Sequence, residues 1–364
     1  MSAFEMVWDD LRADIINKAD AFRRVPASRF DEIMQDFRGL PQNMIQGPKW
    51  TGGKRQPHYI GPLRRAMALN PSKRGGRRRI VEPFMGALNV SANVNPGQRA
   101  LVGDFDDMMP EVFKRIQQGD MTLDMTPFLQ DGNIDRKTFY EDIRGATPKG
   151  RKGKDFDSRF ETLKPNSLND FIRRQKEGGL TDQEFRDMIE RFAQYQRMAW
   201  RGEPRRSGLG YANMTINNPS FSLPSTLDLA TNQPAYANFD IHGGMDYKDF
   251  FKLPINPDDD FGFIDPPYAG GEGANYDFPV PDPMEEHKIL AELVGELAAE
   301  GMPIVATNNP IVAPLYEKHG FKTQLMGRPD RYRNYGGAET LKPEAIMHNL
   351  DDFDFLEGFD EMRL

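Results

Sequence analysis

Apolar positions along the chain follow two periods. Over residues 6–40 the period is helical: Leu11, Ile15, Ile16, Ala19 and Phe22 share one face, and SRFDEIMQDF opens a second short helix at Ser28. Residues 46–82 lose that pattern to Gly, Pro and positive charge, in QGPKWTGGKRQ and NPSKRGGRRRIVE, and predict loops around short elements. RRIVEPF reads as a buried strand closed by Pro83, RALVGDF (99–105) as the next strand, and DDMMPEVFKRIQQG as the helix after it. Strand and helix in alternation predict a parallel or mixed α/β sheet.

From residue 119 the pattern changes. Charge becomes dense, TPKGRKGKDFDSR (147–159) has almost nothing to bury, and two helices follow that break at Gly178-Gly179. Residues 207–235 are polar and rich in turn formers. The α/β pattern then resumes with the strand FGFID (261–265). Asp282, Pro283 and Gly301 punctuate a helix whose buried stripe is Ile289, Leu290, Leu293, Val294 and Leu297. PIVATN (303–308) and PEAIMHN (343–349) read as further strands. The expected organisation is a helical extension over 1–45, a domain formed by 46–118 and 230–350, an insertion over 119–229, and an acidic tail over 351–364.

Composition narrows the chemistry. The 364 residues include no cysteine and five scattered histidines, so thiol nucleophiles, disulfides and Cys- or His-rich metal sites are not expected. No apolar run approaches the roughly 18 residues of a membrane span, and the amino terminus lacks a secretory pattern. A cytoplasmic protein is expected. Net charge is −8, but residues 1–206 carry 37 basic and 29 acidic side chains whereas residues 207–364 carry 10 and 26. That asymmetry predicts a basic working face and an acidic remainder; the alternative is chance plus an acidic tail.

Ligands of open α/β sheets sit at the carboxyl ends of strands, where three candidate sites lie. In EPFMGALNVSANV (82–94) a strand meets a turn at Gly86 and runs into a helix whose amide groups would face an anion; the turn alone also has a purely structural reading. Asp104 closes ALVGDF, placed either to take both hydroxyls of a ribose or to cap the next helix, with Phe105 beside it as a platform for an adenine ring. Asp265-Pro266-Pro267-Tyr268 ends a third strand, as a rigid polar site or as a strand stop with a packing ring.

These motifs, in this order, resemble the Dam-type DNA adenine N6-methyltransferases of the alpha group, which carry a DPPY motif. Trp50-Thr51-Gly52-Gly53-Lys54 is similar to the family's opening segment, and Phe84 to Val94 to its F-x-G turn. The turn is closest to the bacteriophage version, in which a Leu, here Leu88, stands where bacterial members have a second Gly. LVGDFDDMMPEVFKRI resembles the ribose-Asp strand and its helix, and KPEAIMHN the last strand. The match covers about 46–118 and 230–350.

The resemblance implies a Rossmann-like class I methyltransferase sheet with an inserted, mostly helical target-recognition domain. It implies S-adenosyl-L-methionine as cofactor, released as S-adenosyl-L-homocysteine. Trp50, Gly53, Lys54, Glu82, Phe84, Gly86, Asp104, Phe105 and Asp265 would line its site. Asp265, Pro266, Pro267 and Tyr268 would hold a flipped-out adenine for in-line methyl transfer. The partner implied is double-stranded DNA, with no metal and no membrane, for a monomer or weak homodimer in a bacterial or phage-infected cell. Lys149, Arg151, Lys152 and Lys154 suit phosphates; Arg205, Arg206 and Asn213 suit phosphates or bases. A solvated loop is the bland alternative for that basic run. Phage enzymes follow a similar Asn-Met segment with an Arg that reads guanine; here Ile216 falls near its place, which leaves the target sequence open. Rival readings are the same chemistry on an RNA adenine, a cytosine N4 or a protein amide, and a non-catalytic DNA-binding relative. Cytosine C5 methylation needs a cysteine nucleophile.

Overall fold

The computed structural model describes residues 54, 57–94, 97–130, 133–135, 138, 165–198, 205–207, 210–213, 226–269, 283–329, 341–358 and 362–363. The expected amino-terminal helices, Trp50, Gly53, Lys149, Arg151, Lys152 and Lys154 lie outside these residues.

Seven strands form the central sheet: β1 (Arg79–Glu82), β2 (Ala100–Gly103), β9 (Phe239–His242), β10 (Asp260–Ile264), β11 (Ile304–Asn308), β12 (Lys322–Pro329) and β13 (Leu341–His348). Their order is β12-β13-β11-β10-β1-β2-β9. The five from β11 to β9 are mutually parallel, and β13 runs antiparallel between β11 and β12. The chain leaves β1 towards β2 and β9, then returns to the other side at β10. The crevice above β1 and β10 is therefore the topological switch point, where such sheets hold ligands.

Side chains alternate across the sheet and feed two cores. Ile80, Val102, Phe261, Phe263 and Val305 join a cluster that includes Phe113 and Phe192. Val81, Leu101, Ile264, Ile304 and Ala306 pack with Leu290, Val294 and Tyr316. Phe113 belongs to α3 (Met108–Gln118), and Leu290 and Val294 to α6 (Pro283–Ala299). β10 and β11 are buried at every residue, which is why FGFI (261–264) and IVA (304–306) read as strand cores.

One segment read as loop is a helix. Pro57–Leu69 forms α1, with Tyr59, Ile60, Leu63, Ala66 and Met67 buried at helical spacing. Gly61 and Pro62 signal a break, but burial of that face outweighs them. The helix predicted after the Gly86 turn is only α2 (Ser91–Val94).

The described part of residues 119–229 leaves the sheet through a two-stranded stem, β3 (Thr122–Asp124) against β8 (Thr226–Asp228), beyond which β4 (Leu129–Gln130) pairs with β5 (Asn133–Ile134). Its helices α4 (Leu168–Lys176) and α5 (Asp182–Met198) bury Phe171, Met188, Ile189 and Phe192 in the same cluster as the sheet. Gln194 donates to the Asp124 carbonyl at 2.8 Å. β6 (Arg205–Ser207) and β7 (Gly210–Asn213) pair as a hairpin within a stretch read as turns, with Arg205 opposite Asn213.

The segment read as an acidic tail carries Phe353 and Phe355 inward. Phe353, Phe355 and Leu356 are buried in the first core. Arg65 of α1 pairs with Glu357 at 2.7 Å and lies over the Phe353 ring. Acid and base also meet at the amino ends of the strands. Arg79 binds Asp260 through two bonds of 2.9 and 2.6 Å, Arg74 pairs with Asp259 and Lys73 with Asp258. A cavity of about 270 Å³ lies among these groups, at the end of the sheet opposite the switch-point crevice. The basic run 73–79 is therefore partly neutralised within the fold.

Close packing is tight under the crevice. A Cβ built on Gly103 would stand 2.5 Å from Cδ2 of Phe250. Gly103→Ala is expected to lower stability by about 1–3 kcal/mol, measured by urea denaturation; an unchanged midpoint would contradict this packing.

Candidate active site

β1 stops at Glu82 because Pro83 cannot donate to the ladder. The chain then turns through Phe84 and Met85, whose N–H reaches the Gly103 carbonyl at 2.8 Å. Gly86 takes φ +44° and donates its N–H to Asp104 Oδ2 at 2.9 Å; the Asp106 N–H reaches Asp104 Oδ1 at the same distance. The turn and the carboxylate thus hold each other. Asp104 is not the helix cap: Asp106 accepts the Met108 and Met109 N–H groups at 2.7 and 3.1 Å. Phe105 beside Asp104 is 54% exposed. Phe84 is half-buried against Tyr247. Leu88 holds φ +51°, a conformation that favours glycine, with its side chain fully buried.

The expected anion site at the amino end of α2 does not form. That helix has four residues, and the Ser91 N–H and hydroxyl both go to Glu82, the former at 3.2 Å. Glu82 is buried, and burial pushes its carboxyl up to about 8, with Asp265 and Asp104 adding to the rise and Ser91 opposing it. The unfolded chain loses this proton near pH 4.5 and the folded chain near 8, so the folded form binds more protons in between. Stability from this group is full below about 4.5 and falls as pH rises to 8. Glu82→Gln is expected to remove a loss of a few kcal/mol across that window, read as the difference from the unsubstituted chain in unfolding free energy against pH. Parallel curves would contradict the assignment.

The third strand end carries the densest polar network. After Ile264 the chain enters Asp265-Pro266-Pro267-Tyr268, and Asn308 at the end of the neighbouring β11 pins it. The Asn308 amide donates to the Pro266 and Pro267 carbonyls at 3.3 and 3.4 Å, and its oxygen accepts from the Ala269 and Asn309 N–H groups at 3.2 and 2.8 Å. Lys54 Nζ reaches both Asp265 oxygens, at 2.8 and 2.9 Å, and the Tyr268 hydroxyl at 2.6 Å. Thr307 donates to Asp265 Oδ1 at 2.6 Å. Tyr268 donates to Glu344 Oε1 at 2.6 Å, and Tyr59 to Glu344 Oε2 at 2.7 Å. Burial raises the Asp265 carboxyl above its ordinary range; Lys54 opposes the rise and the Glu344 charge adds to it.

Asp265, Glu82 and Asp104 end or follow three adjacent strands, β10, β1 and β2. Two inter-strand spacings put Asp265 and Asp104 roughly 10 Å apart on one edge of the sheet. The structure therefore brings Lys54, Glu82, Phe84, Gly86, Asp104, Phe105 and Asp265 to Tyr268 into one region. Arg205, Arg206 and Asn213 fall on the β6–β7 hairpin. Sequence reasoning missed Tyr59, Thr307, Asn308 and Glu344. Glu344 left a signal, an acid inside the apolar run PEAIMHN, and Thr307-Asn308 left another, two polar residues closing PIVATN.

Among the described residues no helix is long and apolar enough to cross a membrane, and no group of three or more His, Cys, Asp or Glu side chains could hold a metal. No curated protein matches the chain in sequence. The family model described as D12 class N6 adenine-specific DNA methyltransferase matches residues 50–317. That span contains the Gly86 turn, Asp104 and the whole Asp265 to Tyr268 loop. The seven-strand sheet agrees with the class I methyltransferase fold of that family, whose members generally use S-adenosylmethionine. The chain belongs to the D12 class of N6 adenine-specific DNA methyltransferases.

Proposed function

We propose that the chain methylates N6 of an adenine swung out of double-stranded DNA, gripping its amino group between Asp265 and the Pro266 carbonyl. One observation carries this reading. The loop that would hold the base is pinned from beneath by Asn308, and its acid is held in place by Lys54 and Thr307, before any substrate arrives. Preorganisation of this kind lowers a barrier because the groups that grip the base already stand in place.

The residues fit the cofactor of the family. Gly86, Asp104 and Phe105 combine a tight turn, a carboxylate held by that turn and an exposed ring, the set that suits a ribose and an adenine; Glu82 and Phe84 flank the same turn, and Lys54 stands at Asp265. When bound, S-adenosylmethionine supplies a sulfonium methyl group for in-line displacement. The lone pair of an adenine amino group is delocalised into its ring. Hydrogen bonds to Asp265 and to the Pro266 carbonyl favour a pyramidal nitrogen with that pair localised. Of the four lone-pair positions on Asp265, three are filled by Lys54 and Thr307, and one on Oδ2 remains for an N–H. Pro266 likewise keeps a lone pair beyond its bond to Asn308. The Tyr268 ring offers a stacking surface, a contribution of about 1–3 kcal/mol.

Within the family, Asp265 to Tyr268 and the left-handed Leu88 favour the DPPY subgroup and a bacteriophage-like turn. The β6–β7 hairpin with Arg205, Arg206 and Asn213, and the basic run of Lys149, Arg151, Lys152 and Lys154, are the proposed DNA contacts. A monomeric or weakly dimeric protein of the cytoplasm fits this reading. Incubation with methyl-labelled cofactor and unmethylated duplex DNA, followed by nucleoside analysis, tests it. N6-methyladenine is expected; label on cytosine, RNA or protein instead would overturn it. A non-catalytic relative is set apart by S-adenosylhomocysteine binding, expected here and weakened by about tenfold or more in Asp104→Ala, which loses the hydrogen bonds to charge.

A further inference from the structure

We infer that Glu344 is a positioning residue of the methyl-transfer site: it fixes the Tyr268 phenol and is the second seat of the Lys54 ammonium when an adenine amino group engages Asp265. The inference rests on the adenine-methylation reading above and assigns a role to a strand that reading does not use.

Glu344 lies on β13, whose next residue, Ala345, pairs with Asn308 of β11. That register brings the strand alongside the pinned loop. Its side chain is 1% exposed, a place where a carboxylate is unfavourable without partners. It has them. Tyr268 and Tyr59 each donate to one of its oxygens, at 2.6 and 2.7 Å, and Lys54 Nζ stands 3.5 Å from Oε1. Tyr59 is fully buried on α1, so Glu344 is anchored by a second, buried phenol. The hydroxyl of Tyr268 is thereby fixed, and with it the long axis of the ring.

The Lys54 ammonium has three protons, and three short bonds match them: two to Asp265 and one to Tyr268. An arriving amino group takes the remaining position on Oδ2, an oxygen it must share with the Lys54 ammonium already bonded there. A shift of under roughly 1 Å takes Nζ from 3.5 Å to hydrogen-bond distance of Glu344. The site holds two carboxylates and one ammonium before and after that shift, so no unpaired charge is created in the interior. Asp265 then faces the base with less of its charge committed to Lys54. Without the Glu344 charge, Lys54 loses the acid 3.5 Å away that could receive it, and it competes with the base for Asp265. Among the described residues, the charged or titratable groups facing Asp265 are Lys54, Tyr268, Glu344 from β13 and Glu82 from β1, with the Thr307 hydroxyl from β11.

Glu344→Gln keeps the shape and removes the charge. Expected in this variant are normal S-adenosylhomocysteine binding, a kcat lowered about 10- to 100-fold with a smaller change in KM for DNA, and an acid limb of the kcat profile moved to lower pH. The limb moves because Asp265 loses a neighbouring negative charge. Glu344→Asp is expected to recover part of the rate and to serve if the Gln variant does not fold. A merely structural role would leave the acid limb in place; that result, or an unchanged kcat, would overturn the inference. Carboxyl NMR of Asp265 in the free protein reads the same coupling without turnover, and an unchanged titration in Glu344→Gln also overturns it. Failure of the unsubstituted enzyme to methylate adenine defeats the parent reading instead, and so is distinguishable.

Discussion

Asp265→Ala is expected to lower the rate of N6-methyladenine formation by about 10³-fold or more. The substitution removes the acceptor proposed for one amino N–H and strips Lys54 and Thr307 of their shared partner. Loss of a single preorganised polar group at a reacting centre ordinarily lowers a rate by about 10²–10³-fold, and here the remaining ammonium is also free to compete for the base. The fold is expected to survive. Lys54 has Glu344 at 3.5 Å to fall back on, and the lost carboxyl was one that burial disfavoured in its charged form. Single-turnover methylation, with circular dichroism and S-adenosylhomocysteine binding as controls, checks the outcome. A rate within tenfold of the unsubstituted enzyme would remove Asp265 from the chemistry.

Asn308→Ala is expected to damage both stability and rate. One amide side chain satisfies two proline carbonyls and two backbone N–H groups, and it is 0% exposed. Each buried group left without a partner destabilises by about 1–3 kcal/mol, so a loss of roughly 3–4 kcal/mol is expected in urea denaturation. The rate is expected to fall about 10²-fold, because a displacement near 1 Å of a positioned group is enough for that. Asn308→Asp keeps the two acceptor bonds but turns an oxygen towards the carbonyls. It is expected to be nearly as slow and to fold better. A slow but fully stable Ala variant would mean that Asn308 acts on the reaction in some way other than holding the loop.

Much of the sheet was legible because parallel strands buried on both faces are mostly apolar. FGFI (261–264) and IVA (304–306) announced β10 and β11 in this way. β9 and β12, at the two edges, did not: FDIH and KTQLMGRP mix polar residues into runs that only one neighbour completes. α1 was hidden by Gly61 and Pro62, local signals that tertiary burial overrides. Part of the charge asymmetry is neutralised inside the fold for a related reason. Residues far apart in sequence meet in space, so the basic run 73–79 lies against Asp258, Asp259 and Asp260 rather than forming a bare face.

The candidate site divides along the same line. Asp104 and Asp265 to Tyr268 are local motifs at strand ends, and their positions follow from the order of the strands. Thr307, Asn308, Glu344 and Tyr59 act across strands, on partners between 39 and 285 positions away. Nothing in their own neighbourhoods specifies that pairing. Only the insertion of β13 beside β11 puts a buried acid next to the Tyr268 hydroxyl.

The central claim is a rigid acid-and-carbonyl grip on an extruded adenine amine. A crystal structure with S-adenosylhomocysteine and a duplex containing the target adenine tests it most directly. The account predicts N6 within about 3.2 Å of both Asp265 Oδ2 and the Pro266 oxygen, the base stacked on Tyr268, and the loop unmoved. An adenine still paired in the duplex, or an amino group turned away from Asp265, would contradict it.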